Sequence, residues 1–273
     1  MVWNLVVHLI LLLPLACGYN YCNNKTHICV LKNTKHFMCN LKMFRPFANR
    51  ARFHASVPDN LKMQILILDK LNNLRNQFAS GNLRTRNNKT FASAKRMRRL
   101  MWDKELAYMA HTHASTVSYT PTNCRSTLRF PYVGQVISLV LPPEMSDLEQ
   151  ISSTSFNKMF EEYLNVPDPE GLLKRYNSTR DRYITHFTTI ISDRASRVGC
   201  GIVVATNCVD YYKFCYFFTC FFDFDNVEGM YVYKAGEPAT SCDDWNVVSS
   251  DRYANLCKNN GAHFPHDQGD EPH

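Results

Sequence analysis

Cysteine content constrains this chain more than any other feature. Eleven cysteines stand among 273 residues, a density expected where disulfides persist and unusual in a reducing compartment. The first, Cys17, ends an apolar run from Leu5 to Leu13 that passes through Pro14 to the small residues Ala16 and Gly18. That run is too short to cross a bilayer and has the apolar centre and small-residue exit of an export leader, so residues 1–18 read as a signal peptide. Its removal takes Cys17 and leaves an even ten: Cys22, Cys29, Cys39, Cys124, Cys200, Cys208, Cys215, Cys220, Cys242 and Cys257. An even set in an exported chain reads as five disulfides with no spare thiol. Sequons at Asn24, Asn88 and Asn177 suit the same compartment and are candidate glycosylation sites. The expectation is a secreted, extracellular glycoprotein.

Composition excludes a disordered or fibrous chain: 45% of residues are hydrophobic and 20% charged, with 10 Gly and 12 Pro. A net charge of +7 allows contact with acidic surfaces without marking a nucleic-acid binder. The mature chain divides into three. Residues 19–54 are a cysteine-bearing extension without sustained periodicity, residues 55–235 carry the periodic segments, and residues 236–273 end in a polar tail beginning Asn259-Asn260-Gly261, expected to fray. In the middle block Leu61, Ile65, Leu68, Leu71 and Phe78 predict a helix that Gly81 stops. Residues 82–99 read as a loop. Asp103 caps a second helix, Ser152 to Leu164 forms a third, and a short fourth surrounds His186. Val133–Leu141, Val198–Ala205 and Tyr211–Phe222 read as strands. Interleaved helices and strands make the class mixed α and β.

At this level the residues become familiar. His186-Phe187-Thr188-Thr189-Ile190-Ile191-Ser192-Asp193 with Val198-Gly199-Cys200-Gly201 resembles the GHYTQxVW…VGCG signature of the CAP superfamily, which groups cysteine-rich secretory, antigen 5 and pathogenesis-related-1 proteins. Phe218-Thr219-Cys220-Phe221-Phe222 through Asn226-Val227-Glu228-Gly229 resembles its second signature. Leu71-Asn72-Asn73-Leu74-Arg75 with Phe78-Ala79-Ser80-Gly81 is similar to its HNxxR…AxG helix, and Trp102-Asp103-Lys104-Glu105-Leu106-Ala107 to its WdxeLA start. Gly134-Gln135 matches its GQN/GEN strand. The Tyr21-Cys22 opening and the late Cys242 and Cys257 resemble the insect venom antigen 5-like branch.

The resemblance implies an α+β fold, an α-β-α sandwich with a disulfide-tied N-terminal extension and a short cysteine-containing C-terminal one. It also implies the pairs Cys22–Cys39, Cys29–Cys124 and Cys200–Cys220, with Cys242–Cys257 in the tail. Cys208 and Cys215 are left on either side of a strand connection and can close it on themselves. Many members hold zinc in a cleft of two His and two Glu. Carried over, the second His is His186 and one Glu is Glu162, but the other positions are Pro121 and Gln135. One imidazole and one carboxylate fall short of the three or four donors zinc requires. The expectation is therefore no catalytic residue, no metal and no cofactor, with His186 and Glu162 left to hydrogen-bond each other.

Other constellations point the same way. His111 and His113, two apart on a helix, face different directions; the expectation is an exposed His111 and a packed His113. His263, His266 and His273 sit in the tail. With every cysteine paired no thiolate nucleophile exists, and there is no GxSxG elbow. Arg84, Arg86, Lys89, Lys95, Arg96, Arg98 and Arg99 give residues 84–99 a cationic character suited to a polyanion, or simply to solvent. Leu61, Ile65, Leu68 and Phe78 are candidates for an apolar slot of the kind in which some antigen 5-like proteins hold lipids, or for plain core. The aromatic run Tyr211 to Phe218 suggests a strand face turned outward, or one packed under the C-terminal segment. The expected function is that of a monomeric, non-enzymatic binder of an extracellular protein or a small hydrophobic ligand. A lipid or sterol carrier and a weak zinc-dependent hydrolase are the alternatives.

Overall fold

The computed structural model describes residues 20–22, 29, 33–142 and 146–262. The leader, Asn24, and the tail histidines His263, His266 and His273 lie outside the described residues. The elements are β1 (Arg52–Ser56), α1 (Leu61–Ala79), β2 (Met101–Trp102), α2 (Lys104–Ser115), β3 (Gly134–Val140), α3 (Leu148–Phe160), α4 (Gly171–Lys174), α5 (Thr185–Ile190), β4 (Arg197–Thr206) and β5 (Cys215–Phe222). One sheet runs in the order β1-β4-β5-β3, antiparallel throughout, and β2 pairs in parallel with the start of β4.

Alternation along β5 sorts the core into two. Phe218, Cys220 and Phe222 face the layer of α1, α3 and α5, with Phe78, Phe156 and Phe187 packed beneath them. Phe217 and Phe221 face α2. Two glycines set the depth of that second contact. A Cβ on Gly199 would lie 2.0 Å from the Ala107 nitrogen, and one on Gly201 would lie 2.3 Å from His111 Cα. Only glycine lets the α2 backbone rest directly on β4. Cys200, between them, points to the other face and bonds Cys220, its register partner. The remaining disulfides join Cys22–Cys39, Cys29–Cys124, Cys208–Cys215 and Cys242–Cys257. The mixed α+β class and the helix-sheet-helix layering anticipated from the sequence are the ones observed.

Several local readings are corrected. The α1 stripe is turned: Met63, Ile67, Leu71, Leu74 and Phe78 are buried, whereas Leu61 and Ile65 are 69% and 53% exposed. The N-terminal half of α1 is apolar nearly all round, so only its C-terminal half fixes which face goes inward. The third helix starts earlier, at Leu148, because the Asp147 side chain accepts from the Gln150 N–H. The aromatic run presents no outward strand face. β5 begins only at Cys215, lies between β4 and β3, and is buried along its whole length. Of the aromatic residues in that run only Tyr211 is exposed, in the turn before β5.

The extension at 19–54 is not merely tied on. Tyr21, Phe37 and Phe44 pack against Leu106, Met109 and Phe221, and β1 crosses its expected boundary to pair with β4. The polar segment at Asn259 is anchored, its Nδ2 donating to the carbonyls of Arg99 and Ser196.

The basic segment 84–99 also changes character. Arg96 and Arg98 are buried. Arg96 donates to Asp193 at 3.0 Å and Asp244 at 3.0 Å, and the rings of Trp245 and Tyr231 flank it. Arg98 lies 4.0 Å from the Trp245 ring centroid and donates to the Arg194 carbonyl. Buried arginines need such partners, and here they come from segments more than ninety residues away. Arg84, Arg86 and Lys89 remain exposed. Arg75, fully buried in α1, donates to the carbonyls of Arg98, Ile190, Ser192 and Ala195 and so clamps two segments, at 98 and at 190–195, around the sheet end.

Replacing Gly201 by Ala must drive α2 off the sheet. The expected loss is about 3 kcal/mol of unfolding free energy, measured by urea denaturation with disulfides intact; an unchanged midpoint contradicts this packing.

Candidate functional site

The short turn Glu161–Asn165 follows α3 directly and brings Glu162 to the start of α5. His186 Nδ1 lies 2.6 Å from Glu162 Oε1, and the Phe187 N–H donates to Glu162 Oε2 at 3.0 Å. Both carboxylate oxygens are thus engaged within the first turn of α5, whose N-cap residue Ile184 supplies no side-chain acceptor. Glu162 takes that place from outside the helix, where a negative charge is favoured by the exposed N–H groups and the helix dipole. Tyr119 borders the pair: burial raises its hydroxyl pKa first, and the Glu162 charge raises it further.

The other two cleft positions supply no further ligand to the pair. Gln135 pairs in register with Phe221, in the row that faces α2, and its Oε1 accepts from the Thr122 N–H at 2.8 Å and the Thr122 hydroxyl at 3.0 Å. Pro121, next to Thr122, is exposed and has no side-chain donor atom. His186 and Glu162 are therefore brought together, whereas Gln135 is committed to the loop at 122. Among the described residues, no group of three or more His, Cys, Asp or Glu could hold a metal ion. Zinc takes three or four N, S or O ligands, so these residues do not fit it.

Residues not singled out from sequence complete the frame. Arg125 donates to Asp225 at 2.6 Å and to the Thr122 carbonyl. Asn226 donates from Nδ2 to the hydroxyls of Thr188 and Thr189, so the second signature segment holds α5. Asn226 and Thr189 stand in the quoted motifs, but nothing local shows that they meet. Of the sequons, Asn88 is exposed at φ 61° and Asn177 is half-buried, its Oδ1 accepting from the Thr179 and Arg180 N–H groups.

The model for the cysteine-rich secretory protein family, CAP, matches residues 68–222. This chain belongs to the CAP family. Venom allergen-1 of Aedes albopictus is 28% identical to it over 235 residues, 84% of either chain. Tabinhibitin 6 of Tabanus yao is 28% identical over 193 residues, 70% of either chain. A crystal structure titled NaASP2 with Zn2+ superimposes at a TM-score of 0.59 and 19% identity, covering 73% of this chain and 98% of that one, and shows a shared fold. The zinc is a feature of that protein.

Within this CAP chain the deepest histidine serves the fold. His113 is fully buried on α2, with Nδ1 2.9 Å from the Thr219 hydroxyl and Nε2 2.9 Å from the Thr120 carbonyl. His111, two residues earlier, is half-buried rather than exposed. Burial lowers the His113 pKa below its ordinary 6.5; the Thr120 carbonyl opposes that shift and the Arg125 charge adds to it. The folded state then binds fewer protons than the unfolded one. This contribution to stability is complete above pH 6.5 and is lost as pH falls through the lower, folded value. Urea midpoints are expected to fall below pH 6.5, and less steeply in His113→Gln than in the parent; parallel pH profiles refute this assignment.

Proposed function

We propose that this CAP protein is an exported, non-enzymatic binding protein, and that its small ligand is an anionic amphiphile held between α1 and α3. One observation carries the reading. Leu61 and Ile65, the two α1 residues turned out of the core, line an open groove of about 650 Å³ together with Lys62, Lys70, Glu149 and Arg252. Leu68 instead packs partly buried against the core, and Phe78 lies inside it. An apolar floor beside lysine ammonium groups suits an acyl chain with a carboxylate head, and the volume is within the range of small-ligand sites. Arg252 is already paired with Asp69, which leaves Lys62 and Lys70 as the cations for the head group.

Support for a non-enzymatic role comes from the site itself. His186 and Glu162 are bonded to one another, and the ten mature cysteines stand in disulfides, so neither a metal-activated water nor a thiolate is at hand. Export is supported by the family's description as secretory, by the leader-like start and by the disulfides. No helix among the described residues is long and apolar enough to cross a membrane. A relative whose name marks an inhibitor, Tabinhibitin 6, fits a role exercised by binding.

Titration of the intact protein with a fluorescent polyunsaturated fatty acid tests the reading. Saturable one-to-one binding is expected, weakened about tenfold or more by Ile65→Glu, which puts a buried-on-binding carboxylate against the chain. No saturable signal, or equal affinity in the variant, overturns it.

A further inference from the structure

The turn between β4 (Arg197–Thr206) and β5 (Cys215–Phe222) carries a second surface, built from none of the residues that line the α1–α3 groove. Cys208 and Cys215 close this turn covalently, the Tyr212 N–H donates to the Val209 carbonyl inside it, and Asn207 enters it at φ 60°. At its tip Tyr211 is 94% exposed. The turn stands beside the start of β1, an edge strand exposed along its whole length. Between residues 49–52 and 206–213 lies an open groove of about 990 Å³.

The charges of that groove are unbalanced. Arg50, Arg52 and Lys213 line it with one carboxylate, Asp210, and Arg50 holds that carboxylate at 2.7 Å. Among the described residues no carboxylate pairs with Arg52 or Lys213. A tyrosine held out on a covalently closed turn loses little freedom when it is covered, which is the circumstance in which aromatic anchors contribute most to association. Nothing in the packing of the turn requires Tyr211 to be outside, since Phe214 and Val209 of the same turn fold back onto the protein.

We propose that this groove is a docking site for an acidic segment of a partner protein, with Tyr211 as its anchor and Arg52 and Lys213 as its charge-matching groups. A second copy of the chain is disfavoured, because a two-fold contact through this patch sets its cations against themselves. A sulfated polysaccharide is disfavoured by the small number of cations and by the central place of two tyrosines, which favour side-chain contacts over a run of phosphate-like or sulfate-like charges. The site is distinct from the α1–α3 groove, so each can fail without the other.

Panning phage-displayed random peptides on the intact protein, then titrating a fluorescein-labelled winner by anisotropy, tests the proposal. Peptides rich in Asp and Glu with an aromatic or aliphatic residue are expected to enrich. Their affinity should fall about tenfold or more in Tyr211→Ala and in Arg52→Glu, and be unchanged in Ile65→Glu. Both informative substitutions are at exposed positions, and circular dichroism before titration confirms that the variants are folded. Enrichment of neutral or basic peptides, binding insensitive to both substitutions, concentration-dependent dimerisation through the patch, or heparin oligosaccharide bound in place of peptide with the same sensitivity each overturns it.

Discussion

Direct backbone contact between α2 and β4 is the constraint from which the rest of the molecule is arranged. Gly199 and Gly201 remove the side chains that would hold the helix away, and the intervening Cys200 turns to the opposite face to bond Cys220. Alternation then leaves no freedom: odd residues of β5 meet α2 and even residues meet the helical layer of α1, α3 and α5. The Asp103 cap, which accepts from the Glu105 and Leu106 N–H groups, fixes where α2 begins on that sheet. Arg75 closes the far end by gathering carbonyls from loops that have no ladder of their own.

Against this frame the cleft has a structural chemistry. Glu162 completes the first turn of α5 and orients His186, while the Asn226 amide holds α5 from its other side through Thr188 and Thr189. Of the two side chains that would serve as half of a metal site, Glu162 here caps α5 and His186 is bonded to it. The two binding surfaces proposed above lie outside the cleft, where apolar or cationic groups are left uncovered: Leu61 and Ile65 on α1, and Arg52 and Tyr211 near the β4–β5 turn.

How far the sequence could be read depended on the range of the interactions involved. The family and the layering were legible through the resemblance of the segments at 186–201 and 218–229, and α2 with its Asp103 cap was legible because capping residues and periodicity act within a few positions. Strand β1 was not, since its five residues are all exposed and carry no alternating pattern. Arg96 and Arg98 resembled solvated loop cations until Asp193, Asp244 and Trp245 arrived from far along the chain. The turned stripe of α1 failed for another reason, namely that Leu61, Met63, Ile65 and Ile67 offer apolar candidates on every side of the helix. In the cleft, the identities at 121, 135, 162 and 186 could be read one by one. What could not be seen was that Gln135 would be taken by Thr122 and stand on the α2 side of the sheet.

The central claim is that Glu162 caps α5 while bonded to His186, and that function resides in binding. Calorimetric titration of zinc into the folded, disulfide-intact protein at neutral pH tests it most directly. The account predicts no saturable micromolar site that His186→Ala removes, together with a loss of unfolding free energy of about 1 kcal/mol or more in Glu162→Ala, where the cap is lost. One zinc bound per chain with micromolar affinity, abolished by His186→Ala, would contradict it.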